Sequence, residues 1–403
     1  MHKTGNKDRS YSALFALPSV GRMLVGMQIA RISQSMVGIA IVLYSLALYR
    51  SATMAGMATF FSFFPGIVVS PIAGALLDRH GRTRLVILDY VVALASLILM
   101  GILAEVNALP ASLLMIIAAV SSLTSPLSGT GLRSLFPIIV PKHLWERANA
   151  IDSTGFLVAS IIGPPLAAFL VAFFGGPAAF IAIGLCFGLA AIVISNSPDP
   201  PSLKPPHGSL LHNAWQGVIY TWNNRTLRAL GFSISMLNLS SGTFNIVIPL
   251  IVLQRLHMRE PAVGVLFAIQ GVTGMISAIL SGRINSHKRE RAMLALPMVG
   301  IGLSIAILLL SANLIAIVVV MAVTGLINGP LDIALFTVRQ RRTHPDWTGR
   351  AFAVSMSFNA LGVPLGSAIA GLLASRSPEA AIVFGAVSCL VAGGIAIRMI
   401  PSG

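Results

Sequence analysis

The sequence predicts an all-α polytopic membrane protein, with twelve transmembrane helices arranged as two six-helix halves around a central cavity. Three observations carry that expectation. Of 403 residues, 56% are hydrophobic and only 10% are charged, against about 25% charged in an ordinary soluble domain. A chain so poor in charge lacks the polar surface to face water, and lipid tails remove the need for it. The apolar residues also gather into runs of the ~20 residues that a bilayer core demands. Finally, with the N-terminus placed inside, 22 of the 27 Lys and Arg fall in inner segments and 4 in outer ones, leaving Arg31 within a span. Cytoplasmic loops carry that bias, and a wrong helix count would scramble it.

In chain order, Met1 to Gly21 carries Lys3, Lys7 and Arg9 and is broken by Pro18, so no cleaved leader is expected and the first apolar run stays as a helix. Spans are expected near 23–48, 54–77, 85–104, 110–132, 153–174 and 177–195. Six more follow near 229–253, 262–282, 292–312, 314–336, 351–374 and 380–400. The organisation is an N-terminal half over 1–195, an inner linker over 196–228 and a C-terminal half over 229–403. The linker opens with Pro198, Pro200, Pro201, Pro205 and Pro206, an extended composition. From Ser209 to Trp222 it places Leu210, Leu211, Ala214, Trp215, Val218, Ile219 and Trp222 at near-helical spacing. That pattern predicts a helix lying on the inner membrane surface, with its tryptophans at headgroup level; a solvated loop is the alternative.

Polar residues inside spans repeat with a period of three helices. Gln28, Arg31, Gln34 and Ser35 lie in span 1, Ser121, Ser125 and Ser128 in span 4 with Arg133 near its inner end, Asn238, Ser241 and Asn245 in span 7, and Thr324, Asn328 and Asp332 in span 10. Each set falls on one helical face. Spans 3, 6, 9 and 12 are nearly bare of polar groups at their middles. Carriers built from such repeats place a solute site at the midplane between halves, although small polar residues also simply join helices. An ionisable group at mid-membrane costs at least ~2.5–3.5 kcal/mol. Arg31 and Asp332 are therefore expected to face the cavity and to pair or share a polar network, with Asp332, taken as the one carboxylate well inside a span, as the candidate proton carrier. Asp78, Asp89 and Asp152 are placed near inner boundaries. Arg31→Gln and Asp332→Asn are expected to abolish transport and leave membrane insertion intact.

Other function classes fit poorly. The formal charge of +15 is spread along one membrane face and not gathered in a domain, so no nucleic-acid partner is expected. Cys186 and Cys389 sit in apolar runs, with no metal spacing and no disulfide framework. His80, His143, His287 and His344 lie in inner loops without a partner at catalytic spacing. No enzyme activity, cofactor or metal is expected; a small solute, protons and the lipid bilayer are the expected partners of a monomer. A non-transporting receptor would call for a sensory domain outside the spans.

The loop after span 2 narrows the reading. Gly74, Asp78, Arg79, Gly81 and Arg82 match the pattern G-x-x-x-D-R-x-G-R, and the stretch resembles the signature loop of the major facilitator superfamily. Gly81 permits a tight turn, Asp78 can accept from a helix N-terminus, and Arg79 and Arg82 can bridge carboxylates or headgroups. The resemblance implies a latch on the inner gate in the outward-open state. Arg133 to Pro137, Val140-Pro141, Ala148 to Ala150 and Gly163-Pro164 are similar to the drug:proton antiporter-3 branch, which holds siderophore-exporter-like and macrolide-efflux-like permeases. The resemblance implies export of a small amphipathic solute by alternating access, coupled to proton entry, across the inner (plasma) membrane with both termini cytoplasmic. An uncoupled facilitator or an importer is the alternative on the same fold. In span 5, alanines at 159, 167 and 168 stand where antiporters often have glycine, so close packing and a bend at Pro164 are what remain of that motif. The matching loop after span 8, from Gly282 to Arg289, lacks the acidic position, and a looser gate is expected there.

Overall fold

The computed structural model describes residues 10–199, 210–281, 289–344 and 347–400, and none of these lies in a β-strand. A short helix at Tyr11–Phe15 (α1) precedes Val20–Leu48 (α2), Ala52–His80 (α3), Arg82–Glu105 (α4), Ala111–Ile139 (α5) and Trp145–Ile194 (α6). Leu210–Asn223 (α7) leads into Arg225–Leu250 (α8), Glu260–Ser281 (α9), Glu290–Leu310 (α10), Leu314–Arg342 (α11), Thr348–Ala360 (α12), Gly362–Ala374 (α13) and Pro378–Met399 (α14). Polar side chains start several of these helices. Ser51, Asn224, Asn313 and Ser377 each accept from backbone N–H groups of the first turn, satisfying donors that have no partner within the helix.

Eleven of the described helical stretches are long and apolar enough to cross a bilayer, and one of them, Arg147–Ile194, runs for 48 residues. Its length would be about 72 Å, more than two hydrocarbon cores of ~30 Å. Gly175 breaks it with φ 83° and ψ 164°, a backbone region open essentially to glycine alone. α6 is thus two crossings, and the chain has twelve. The expected bend at Pro164 is not where the helix breaks, since Gly175 alone leaves helical geometry inside α6. α12 and α13 together supply span 11, and span 7 ends in a π-helical turn, Ile251–Arg255. Several helices outrun the expected spans at the basic end: α3 to His80, α5 to Ile139 and α11 to Arg342. Charged residues end the hydropathy of a span without ending its backbone hydrogen bonds.

The two sets of six pack alike. α3 lies on α5 as α9 lies on α11, α2 on α6 as α8 on α13, and α4 on α6 as α10 on α14. The sets meet along α3–α13 and α6–α9. Leu88, Leu99 and Ile102 of α4, Leu185 and Ile192 of α6, Leu296 and Leu303 of α10, and Val387 and Ile397 of α14 are exposed, so spans 3, 6, 9 and 12 present apolar side chains outward, where lipid covers them. α2 and α8 occupy the centre. Spans 4 and 10 serve both sides, for they expose Ile116, Val120, Ile315 and Val319 as well as their polar faces.

One end of the bundle is shut. Ile39 to Leu46 of α2 and Ile246 to Val252 of α8 are buried on every face, so these halves are sealed all round. Thr53 of α3 donates to the Gly371 carbonyl of α13 at 3.3 Å, and Arg259 donates to the Ala172 carbonyl at 3.3 Å, closing the seams near the same end. Towards the end that holds Arg22, Arg79, Arg225 and Arg342, α2 and α8 show half-buried or exposed positions at Gln28, Arg31, Gln34, Asn238 and Ser241. The molecule is closed at the charge-poor end and open towards the basic end.

Candidate transport site

Three voids hold the mid-membrane polar residues. The first, about 360 Å³, lies within the second half and is lined by Asn238, Ser241, Gln270, Thr324, Asn328, Asp332 and Asn359 between Phe244, Phe336 and Met356. The second, about 310 Å³, lies between the halves and is lined by Arg31, Gln34 and Ser35 of α2, Phe63 of α3, Phe156 and Pro164 of α6, Asn245 of α8 and Phe267 of α9. The third, about 30 Å³, lies within the first half against Gln34, Asp89 and Ser125. Gln34 lines both the second and third voids.

Asp332 sits ten residues from the basic end of α11, ~15 Å deep, yet it is exposed. No ion pair or hydrogen bond to it occurs among the described residues. A side chain both deep and exposed in a bundle is one that faces a water-filled void. Around it, Gln270 donates to Thr324 at 3.3 Å and Asn238 donates to the Asn359 carbonyl at 2.8 Å. The Asn359 amide accepts from Arg339 Nη2 at 2.8 Å and donates to the Ser355 carbonyl at 3.1 Å. Arg339, fully buried, also donates to Met356 Sδ at 2.9 Å. These bonds tie α8 and α11 to α12, and α9 to α11, around the void.

Arg31 does not meet Asp332. Its partner is Asp152 of α6: Nη2 pairs with Oδ1, and Nη1 donates to the Asp152 carbonyl at 2.9 Å. The guanidinium lies 5.1 Å from the Phe156 ring centroid. The expected Arg31–Asp332 network is therefore corrected, because the two residues line different voids. The expectation that Asp332 is the one carboxylate well inside a span is corrected too. Asp152 and Asp89 lie seven residues inside α6 and α4, ~10 Å along each helix, and are 7% and 4% exposed. Packing buries both beside polar partners on other helices, Thr124 for Asp89 and Arg31 for Asp152, which hydropathy does not register.

Of the expected residues, Asn238, Asn328 and Asp332 share the first void, Arg31, Gln34 and Asn245 the second, and Ser125 the third. Gln28 is half-buried and lines none of the three. Arg133 lies outside the described side chains. Gly163 brings α2 and α6 together: a Cβ there would stand 3.2 Å from the Ser35 backbone carbon and 3.3 Å from the Ile32 carbonyl oxygen. Pro164 lines the second void. In the aromatic run of α3, Phe60 and Phe64 stack at 4.5 Å while Phe63 faces the second void.

The loop between α3 and α4 turns at Gly81, with φ 95°. The N-terminus of α4 is capped from outside the motif by Asp199, which accepts from the backbone N–H of Arg82 at 2.8 Å, Thr83 at 3.2 Å and Arg84 at 3.3 Å. Thr83 Oγ1 donates to the Pro198 carbonyl at 3.0 Å. The linker is thereby fastened to the signature loop, a contact for which the order Pro198-Asp199 was the only signal. Arg79 is exposed; the surroundings of Gly74, the side chain of Asp78 and the whole stretch from Gly282 to Lys288 lie outside what the structure describes. α7 forms as expected, and Trp215, Ile219 and Trp222 are exposed on it.

A family model described as Major Facilitator Superfamily matches residues 23–237 and 229–402. The chain is 31% identical over 394 residues to an uncharacterized MFS-type transporter, y4rN, of Sinorhizobium fredii, covering 97% of each. It is 25% identical to macrolide efflux protein A of Streptococcus pyogenes, over 87% of this chain and 88% of that one. It is also 25% identical to the multidrug efflux pump Tap of Mycobacterium tuberculosis, over 90% and 89%.

Proposed function

We propose that this chain, which belongs to the major facilitator superfamily, exports a small amphipathic solute by alternating access, driven by proton entry. It is a multi-pass membrane transporter, not an enzyme. The observation that carries the finer reading is Asp332, exposed in a void walled by amides, hydroxyls and apolar side chains. Such walls suit a solute with one polar or cationic end and a greasy body. The efflux activities printed for the macrolide and multidrug relatives point the same way.

In this reading the basic end is cytoplasmic, in the plasma membrane, with both termini on that side. The chain acts as a monomer made of halves 1–195 and 229–403, joined by the linker 196–228 whose helix rests on the lipid surface. Solute enters from the basic end and settles among Asn238, Asn328 and Asp332. Arg31, Gln34 and Asn245, around the void between the halves, supply the facing polar wall. The halves then rock along the α3–α13 and α6–α9 seams, opening the charge-poor end, while Gly163–Pro164 keeps α2 packed on α6 within the first half. Gly74, Asp78, Arg79, Gly81 and Arg82 latch the basic end shut in that opposite state.

An efflux-deficient bacterial host tests the proposal. Cells making the protein are expected to accumulate less erythromycin, or less of another amphipathic antibiotic from a panel, than cells with empty vector. A proton ionophore is expected to erase the difference, and Asp332→Asn to abolish it with the protein still in the membrane. Equal accumulation across the panel, or a difference that survives the ionophore, overturns proton-driven export.

A further inference from the structure

We infer that Asp89 is the binding site for the coupling proton, in the half opposite the solute void. The inference rests on the export reading above for the use made of the proton. The geometry stands apart from it.

Asp89 is 4% exposed on α4, and Thr124 Oγ1 of α5 donates to its Oδ1 at 2.6 Å. The void beside it, about 30 Å³, is about a tenth the size of either of the other two; it has room for water and is far below the size of a site for a drug-sized solute. Gln34 of α2, Ser62 of α3, Ser96 of α4 and Ser121 and Ser125 of α5 bring polar groups to it, between apolar walls that include Leu97 and Phe187. The charged and titratable groups packed around Asp89 are few. Tyr90 follows it on α4, with its ring 6.0 Å from Phe187 of α6. Arg31 of α2 is held by Asp152 of α6. α3 and α5 bring only hydroxyls to this void among the described residues.

A carboxylate enclosed this way, with no cation bonded to it among the described residues, can be neutralised only by something small that reaches it. A hydronium ion arriving through the void gives its proton to the carboxylate and leaves as water. The route is short, because Gln34 is a wall of both this void and the one between the halves. Gln34 also lies three residues from Arg31 on α2, the central helix that packs on α6. Loading and unloading Asp89 therefore acts on the helix that carries the Arg31–Asp152 pair, while Asp332 remains for the solute.

Two measurements test this. Infrared difference spectra of the purified full-length protein in lipid nanodiscs, titrated with pH, are expected to show the carbonyl stretch of a buried carboxylic acid that disappears in Asp89→Asn and persists in Asp332→Asn. An unchanged band in Asp89→Asn overturns the assignment. This readout needs no solute, so it stands or falls separately from the export proposal. In proteoliposomes, with erythromycin as the probe, Asp89→Asn is expected to keep solute exchange at equal pH and to lose accumulation driven by a pH gradient, and Asp89→Glu to restore it. Gradient-driven accumulation by Asp89→Asn equal to that of the wild type reduces Asp89 to a strut between α4 and α5.

Discussion

Arg31 shows how a charge near mid-membrane is made tolerable. Removing one member of a buried ion pair leaves the other charge uncompensated and costs about 3–5 kcal/mol. Arg31 and Asp152 keep side-chain exposures of 17% and 9%, so Arg31→Gln is expected to cost on the order of 3 kcal/mol, at the low end of that range. A lowered melting temperature in detergent reads this, and Arg31→Gln combined with Asp152→Asn should recover part of the loss. Asp332→Asn, which breaks no described contact, should melt like the wild type. Loss of transport in Arg31→Gln thus mixes stability with mechanism, whereas loss in Asp332→Asn does not.

Helices are held together here where small residues let backbones meet. Lipid tails are as apolar as leucine, so close packing supplies much of what joins spans. Gly163 against Ser35 and Ile32 is such a place between α2 and α6. Gly163→Val is expected to cost about 1–3 kcal/mol through overpacking and to weaken export, both measurable on one preparation. Gly129 of α5 has nothing within 4 Å of an added Cβ, so Gly129→Ala should change neither. The same logic explains the tolerance for alanine at 159, 167 and 168: all three side chains are buried, where a methyl group fits and a larger side chain would not.

Across the whole molecule, the contrast between the two ends of α2 and α8 defines the state. In a background with Cys186 and Cys389 replaced, Ser241→Cys is expected to react with a membrane-impermeant maleimide in inside-out vesicles and to stay unlabelled in right-side-out ones. Cysteine at 247, in the sealed half of α8, should react in neither. Labelling of Ser241→Cys from the charge-poor side alone would mean that the resting protein opens the other way.

Much of this was legible in the chain. Long apolar runs, loop charge and the three-helix rhythm of polar residues sufficed for twelve spans and for which helices lie outward. Those properties follow from one residue at a time meeting water or hydrocarbon. Partnership did not follow. That Arg31 takes Asp152, that Asp89 lies sealed beside Thr124, that Asp199 caps α4, and that Asp332 lines a void with Asn238 and Asn328 depend on which helices touch and how each is turned. Hydropathy places a span along the membrane normal but says nothing of its rotation or neighbours, and only the packed bundle fixes those.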